Sequence, residues 1–187
     1  MVGGRDSGFA GRAHFARRGA RCFSCAAGVP DGVALCGDCL RHPPPLDACL
    51  AAVSYGFPWA HLLAQFKFQA DPGWASALAE LMRQAPGAQT AIAQADLVLP
   101  VPLSRERLRQ RGYNQALLLA RRLGSPHVHP HLLLRTRDAE AQSHLTRAQR
   151  LRNLRGAFML APLLAAQASG RRVLLVDDVM TTGAPLH

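Results

Sequence analysis

A chain of 187 residues, 49% of them apolar and with a mean hydropathy near zero, has enough material for one folded domain plus a small appendage. No apolar run approaches the roughly 18 residues that a membrane helix needs, so no membrane span is expected. The formal net charge is +10, and residues 104 to 155 carry 12 arginines against Glu106, Asp138 and Glu140, a local excess of +9; such a block suits phosphate, on nucleic acid or on a small polyphosphate.

Arginines run through the first 21 residues without an uninterrupted apolar core, which argues against a secretory signal. Residues 1–19 are expected to form a loose extension, and the chain is expected to be cytoplasmic. Next come Cys22-Phe23-Ser24-Cys25 and Cys36-Gly37-Asp38-Cys39, two C-x2-C pairs with ten residues between them. So short a stretch cannot bury a useful core. Four thiolates around Zn²⁺ would supply on the order of 10–16 kcal/mol of folding free energy. Two disulfides would give ~2–4 kcal/mol each and would need an oxidising compartment. Zinc is the better reading, and with all four positions filled by protein the site would be structural. The expected module spans residues 20–45. Cys49 is left over in an apolar stretch and reads as a small buried residue.

A proline-rich linker, His42 to Pro45, leads into residues 46–57, whose loose alternation suggests a strand or hairpin. Leu62, Leu63, Phe66 and Phe68 then mark a short amphipathic helix from Trp59, with Lys67 on its other side. A second helix is expected over Ala75 to Arg83, with Leu78, Leu81 and Met82 inward, followed by a loose connection from Pro86 to Ala95. Asp96 to Pro102 is a buried strand closed by proline. The polar run from Ser104 to Gln115 is expected as a loop carrying Arg105, Arg107, Arg109 and Arg111. A helix from Ala116 to Leu123 should follow and stop at Gly124. His127, His129 and His131 alternate as metal ligands on a strand would, but Pro126 and Pro130 interrupt that strand and argue against the role.

Val173-Leu174-Leu175-Val176 reads as a strand buried on both faces, as in parallel sheets. Asp177 and Asp178 fall where it ends, the side on which open parallel sheets bind ligands. Thr181, Thr182 and Gly183 add two hydroxyls, free backbone N–H groups and a residue without Cβ, the chemistry of a loop that wraps a phosphate. Together with the strand before Ser104, this predicts two βα loops that converge on one crevice.

The Asp-Asp-x-x-Thr-Thr-Gly run resembles the phosphoribosyl-pyrophosphate (PRPP) motif of the type I phosphoribosyltransferases. That resemblance implies that Asp177 and Asp178 hold the ribose hydroxyls and that Thr181, Thr182 and Gly183 hold the 5′-phosphate. One position departs: the family usually has a threonine two residues after this glycine, where Pro185 offers neither N–H nor hydroxyl. The other motifs are the two C-x2-C pairs, Phe66-Lys67-Phe68, Val101-Pro102-Leu103, Arg111-Gly112-Tyr113-Asn114-Gln115, and the segment from Arg135 through Gln142, Leu145, Arg150, Asn153 and Gly156-Ala157-Phe158. In this order they resemble the ComF family, phosphoribosyltransferase-like proteins associated with bacterial competence, over roughly residues 20 to 187.

The resemblance implies an α/β fold: a type I phosphoribosyltransferase-like parallel sheet over residues 46–187, preceded by a small zinc-ribbon module. Because His187 follows so soon after Gly183, the C-terminal helix and strand are expected to be missing, leaving Leu174 or Val176 uncovered on one side. The implied chemistry is binding of PRPP with Mg²⁺ and transfer of the phosphoribosyl group to an unknown nitrogen nucleophile, with release of pyrophosphate. Asp177 and Asp178 would stabilise positive charge on the ribose. Mg²⁺, Lys67 and the arginines Arg105, Arg107, Arg109 and Arg111 would neutralise the phosphates. Two other readings stay open. One is a catalytically inactive PRPP sensor. The other is a nucleic-acid-binding protein, in contact with DNA-uptake machinery, that uses the zinc module and the arginine block. The second lacks interleaved aromatics, since residues 104 to 155 contain only Tyr113.

Overall fold

Two runs of branched aliphatics, distant in sequence, pair at the centre of the molecule. The computed structural model describes residues 19–68, 72–136 and 156–180. The first 18 residues, most of the segment between Arg135 and Phe158, and the Thr181-Thr182-Gly183 loop with Pro185 lie outside the described residues. In chain order the elements are α1 (Gly37–Arg41), α2 (Trp59–Phe68), α3 (Trp74–Arg83), α4 (Ala88–Gln94), β1 (Leu97–Pro100), α5 (Arg105–Arg111), α6 (Gln115–Arg122), β2 (Leu133–Arg135), β3 (Phe158–Leu160), a 3-10 turn (Ala165–Ala168) and β4 (Val173–Val176).

Strand β1 pairs in parallel with β4, Leu97 opposite Val173 and Pro100 opposite Val176. On its other edge it forms a short parallel bridge with Val128, through Val98 N–H to the His127 carbonyl at 2.8 Å and His129 N–H to the Val98 carbonyl at 2.9 Å. Two of the three alternating histidines, His127 and His129, thus serve β1 as backbone partners. Because side chains alternate along a strand, the two faces divide cleanly. Val98, Leu174 and Val176 join Leu63, Phe66, Leu78, Leu119 and Leu123 from the helices. Leu97, Leu99 and Leu175 join Leu132, Leu133 and Leu160 on the opposite face. Burial on both faces is what an uninterrupted aliphatic run predicts. The antiparallel pair β2–β3 sets Leu134 opposite Met159.

Four sequence expectations need correction. Residues 46–57 form no regular strand or hairpin; the stretch is tied to the cysteine module by Cys49 N–H donating to the Phe23 carbonyl at 2.8 Å. The connection from Pro86 to Ala95 contains α4, since Ala and Gln are good helix formers and Gly87 at φ +78° turns the chain into it. The arginine run is the helix α5: Ser104 Oγ caps it by accepting from Arg107 N–H at 3.2 Å, and Gly112, at φ +76°, ends it. The expected exposure at β4 falls on Val173, whereas Val176 is buried in the main core and Leu174 is half-buried against it.

Asn114 joins the sheet to α6. Its Oδ1 accepts from Leu117 N–H at 3.2 Å, capping the helix, while Nδ2 donates to the Val101 carbonyl at 3.1 Å. Asn114→Ala removes both links. It should lower the unfolding free energy by ~1–2 kcal/mol, read as a lower urea midpoint at unchanged slope.

Candidate functional site

Two clusters of chemically active side chains stand out. In the first, Cys22 and Cys25 flank a tight turn closed by Ala26 N–H donating to the Cys22 carbonyl at 2.8 Å. Cys36 and Cys39 sit at the start of α1. All four cysteines are free thiols, and their sulfur atoms lie within 4.8 Å of one another. Cys25 and Cys36 sulfurs are 3.7 Å apart. A tetrahedral Zn²⁺ with bonds of about 2.3 Å sets its sulfurs about 3.8 Å apart, so the donor set fits the ion in both chemistry and spacing. Burial alone would raise the Cys22 thiol, but N–H groups of Cys36, Cys25 and Ser24 pull it down to about 6. Burial, then the neighbouring thiols, push Cys39 well up. One sulfur is therefore ready to bind as thiolate and another needs a cation to ionise, as metal-linked folding requires.

The second cluster gathers at the carboxyl end of β4. Asp177 and Asp178 follow Val176 directly, and Asp178 N–H donates to Asp177 Oδ1 at 2.8 Å. Burial pushes the Asp177 carboxyl up to about 7, and the Asp178 charge adds to the rise; the Asp178 N–H and Lys67 act against it. Lys67 comes from the end of α2, and its Nζ lies 3.1 Å from Asp178 Oδ1, with both side chains largely out of solvent. The face of α2 expected to point away from the core therefore points at the acidic pair. Its neighbour Phe68 is not inward but 73% exposed.

Helix α5 presents its arginines in two pairs. Arg107 and Arg111, one turn apart, are half-buried, whereas Arg105 and Arg109 are exposed on the other side. Arg111 has its basicity lowered by burial, while Asp178 and, more weakly, Asp177 favour its charged form. Its guanidinium lies 5.1 Å from the centre of the Phe68 ring, within cation–π range. Tyr113 ties this corner to α2: its hydroxyl donates to the Phe66 carbonyl, and the two rings pack at 5.9 Å. Of the residues read from sequence, Lys67 is brought onto Asp178 beside Asp177, Arg111 lies within electrostatic reach of both, and Arg107 within reach of Arg111. Thr181, Thr182 and Gly183 lie outside the described residues. Sequence reading named Gln115 only as part of a motif and missed its contact, in which Oε1 accepts from Arg111 Nη1 at 3.1 Å. It also missed the contact of Cys49 Sγ with Met180 Sδ at 3.4 Å, which links the cysteine module to the end of the acidic loop.

Fold and clusters together define a mixed α/β protein with a four-cysteine cluster that could hold a metal ion and a charged cluster at the carboxyl end of a parallel strand pair. The chain is 33% identical over 174 residues to the DNA utilization protein YhgH of Escherichia coli (strain K12), a match covering 87% of this chain and 73% of that protein. It is 34% identical over 173 residues to competence protein F of Haemophilus influenzae, covering 89% and 75%. Against competence protein ComFC of Bacillus subtilis it is 38% identical over 91 residues, covering 49% and 35%. No family model and no solved structure matches the chain. The chain belongs to the ComF family. Among the described residues, no helix is long and apolar enough to cross a membrane.

Purified protein should carry one Zn²⁺ per chain by elemental analysis. Cys36→Ser should lose the metal and raise amide exchange across residues 22–39 while β1 and β4 stay protected; intact protection in a metal-free sample would contradict this. Asp177 gives a pH prediction. Its folded value is raised above the unfolded ~3.9, so its contribution is fully present below pH ~4 and is lost as pH rises through about 7. Stability should therefore fall from pH 5 to pH 8 by an amount on the order of 3 kcal/mol, solvent at the carboxyl's open edge trimming the full burial cost. Asp177→Asn should flatten that slope in urea titrations.

Proposed function

We propose that the chain binds PRPP with Mg²⁺ at the carboxyl ends of β1 and β4 and transfers its phosphoribosyl group to a nitrogen nucleophile. The observation that carries this is the convergence of Lys67 and Arg111 on Asp177 and Asp178 at the end of a buried parallel strand. Carboxylates to accept ribose hydroxyls stand beside cations that meet phosphate, and neither set alone would bind a phosphorylated sugar. On this reading the fold is of the type I phosphoribosyltransferase kind, with residues 20–45 as the zinc module and 46–187 as the transferase-like domain.

Asp177 and Asp178 receive the ribose hydroxyls, and Thr181, Thr182 and Gly183 the 5′-phosphate. Lys67, Arg107 and Arg111 face the pyrophosphate, while the exposed Arg105 and Arg109 add long-range attraction for a polyanion. The bond from C1 to the pyrophosphate oxygen breaks, its electron pair leaves with pyrophosphate, and the carboxylates stabilise the positive charge left on the ribose. The nitrogen of the acceptor then bonds to C1 and gives up a proton. Mg²⁺, when bound, supplies neutralisation of the pyrophosphate. Asp177 and Asp178 would offer it hard oxygen donors, although Lys67 already pairs with Asp178. Zn²⁺ in the four-cysteine site is structural.

The names of the relatives, competence protein and DNA utilization protein, support a place for this chain in DNA uptake or use. They also favour a reading as a nucleic-acid-binding protein that uses the zinc module and the outward Arg105 and Arg109; a catalytically inactive PRPP sensor is the other alternative.

Calorimetric titration with PRPP and Mg²⁺ tests the first reading. Binding should be Mg²⁺-dependent and should weaken ~5–100-fold in Asp177→Asn, the loss expected for one hydrogen bond to a charged group. Absence of PRPP binding would rule out both transferase and sensor. Single-stranded DNA affinity that falls steeply with salt and ignores PRPP would favour the nucleic-acid reading.

A further inference from the structure

Gln115 opens α6, is 1% exposed, and uses its side chain in an uneven way. Its Oε1 accepts from Arg111 Nη1 at 3.1 Å, while its Nε2 is buried with no hydrogen-bond partner among the described residues. A buried amide with a stranded donor is costly, and methionine or leucine would fill the same volume without it. Glutamate would hold a guanidinium more tightly. It would, however, cancel much of the charge on Arg111. Glutamine alone orients the guanidinium through a neutral acceptor and leaves its charge unspent.

The local backbone makes this contact available. Gly112, at φ +76°, turns the chain between α5 and α6, which brings the fourth residue after Arg111 back against it. Phe68 covers the guanidinium at 5.1 Å. Arg111 is thus held from two sides by groups that carry no charge, in the field of the acidic pair.

We infer that Gln115 is a positioning residue that fixes Arg111 toward the acidic pair without quenching its charge, so that the guanidinium meets an incoming pyrophosphate. The anion's identity rests on the PRPP reading above; the hold on Arg111 does not.

The test has one arm that needs no ligand. In ligand-free protein, nitrogen NMR of the arginine side chains should show Arg111 with resolved, rotationally hindered guanidinium signals. Gln115→Met should average them, and Gln115→Glu should keep them. In the second arm, titration of PRPP with Mg²⁺ should weaken ~10-fold in Gln115→Met. Arg111→Met should weaken it at least as much, and the double variant should be no worse than Arg111→Met alone. Gln115→Glu should also bind more weakly, with a flatter salt dependence, because one cation is neutralised. Unchanged Arg111 signals in Gln115→Met, averaged signals in Gln115→Glu, or additive losses in the double variant would overturn the inference. If Gln115→Met does not fold, the spectrum and salt dependence of Gln115→Glu decide it. Failure of the wild type to bind PRPP would remove the pyrophosphate and leave the spectrum to decide whether Gln115 holds Arg111.

Discussion

A parallel strand pair buried on both faces leaves only its ends for chemistry. Val98 and Val176 are committed to one core and Leu97 and Leu99 to the other, so a polar side chain at these positions of β1 or β4 would be buried unpaired. The first residues free to be charged are those just past the strand end, which are Asp177 and Asp178. The rest of the site follows from that placement. Two adjacent carboxyls near the core are costly, and Lys67 offsets the cost at Asp178, while Asp177, pushed up by burial and by its neighbour, sits close to neutrality. The helices α2 and α5 therefore have to deliver cations, and the side chains that tie these helices and α6 together, Tyr113, Asn114 and Gln115, form one run in the sequence.

How much of this could be read from the amino-acid sequence depends on whether the signal was local. The aliphatic runs of β1 and β4 and the spacing of Cys22, Cys25, Cys36 and Cys39 carry their meaning within a few residues, and the structure bears them out. The helices α4 and α5 were less legible because their composition is ambiguous: alanine and glutamine, or arginine and glutamate, occur in helices and in polar connections alike. Only the caps at Ser104 and Gly112 mark α5. Phe68 misled because hydrophobicity predicts burial, whereas here the ring is spent on covering Arg111. The Gln115 contact and the Cys49–Met180 contact were out of reach, since each depends on where the chain turns or folds back.

The charged cluster also stores instability. Asp177 is a carboxyl whose ionisation burial opposes, Arg111 is a partly desolvated guanidinium, and Gln115 has a stranded donor. None of these would be chosen for stability alone, and their concentration at one strand end is the pattern expected of a site shaped for a ligand.

The four-cysteine module bears on the same corner. Cys49 leaves the module by a backbone bond to Phe23 and ends with its sulfur against Met180, two residues beyond Asp178. The module cannot hold its own shape through apolar burial, because Cys22 and Cys39 are its largest buried groups apart from small residues. A metal ion held by the four cysteines would supply the order there. That order would reach the acidic loop through Cys49, so the position of Met180 would depend on cysteines distant in sequence. The module is thus better understood as a wall of the site than as an appendage. Its separation in the sequence reflects only the length of chain needed to fold a sheet between the two.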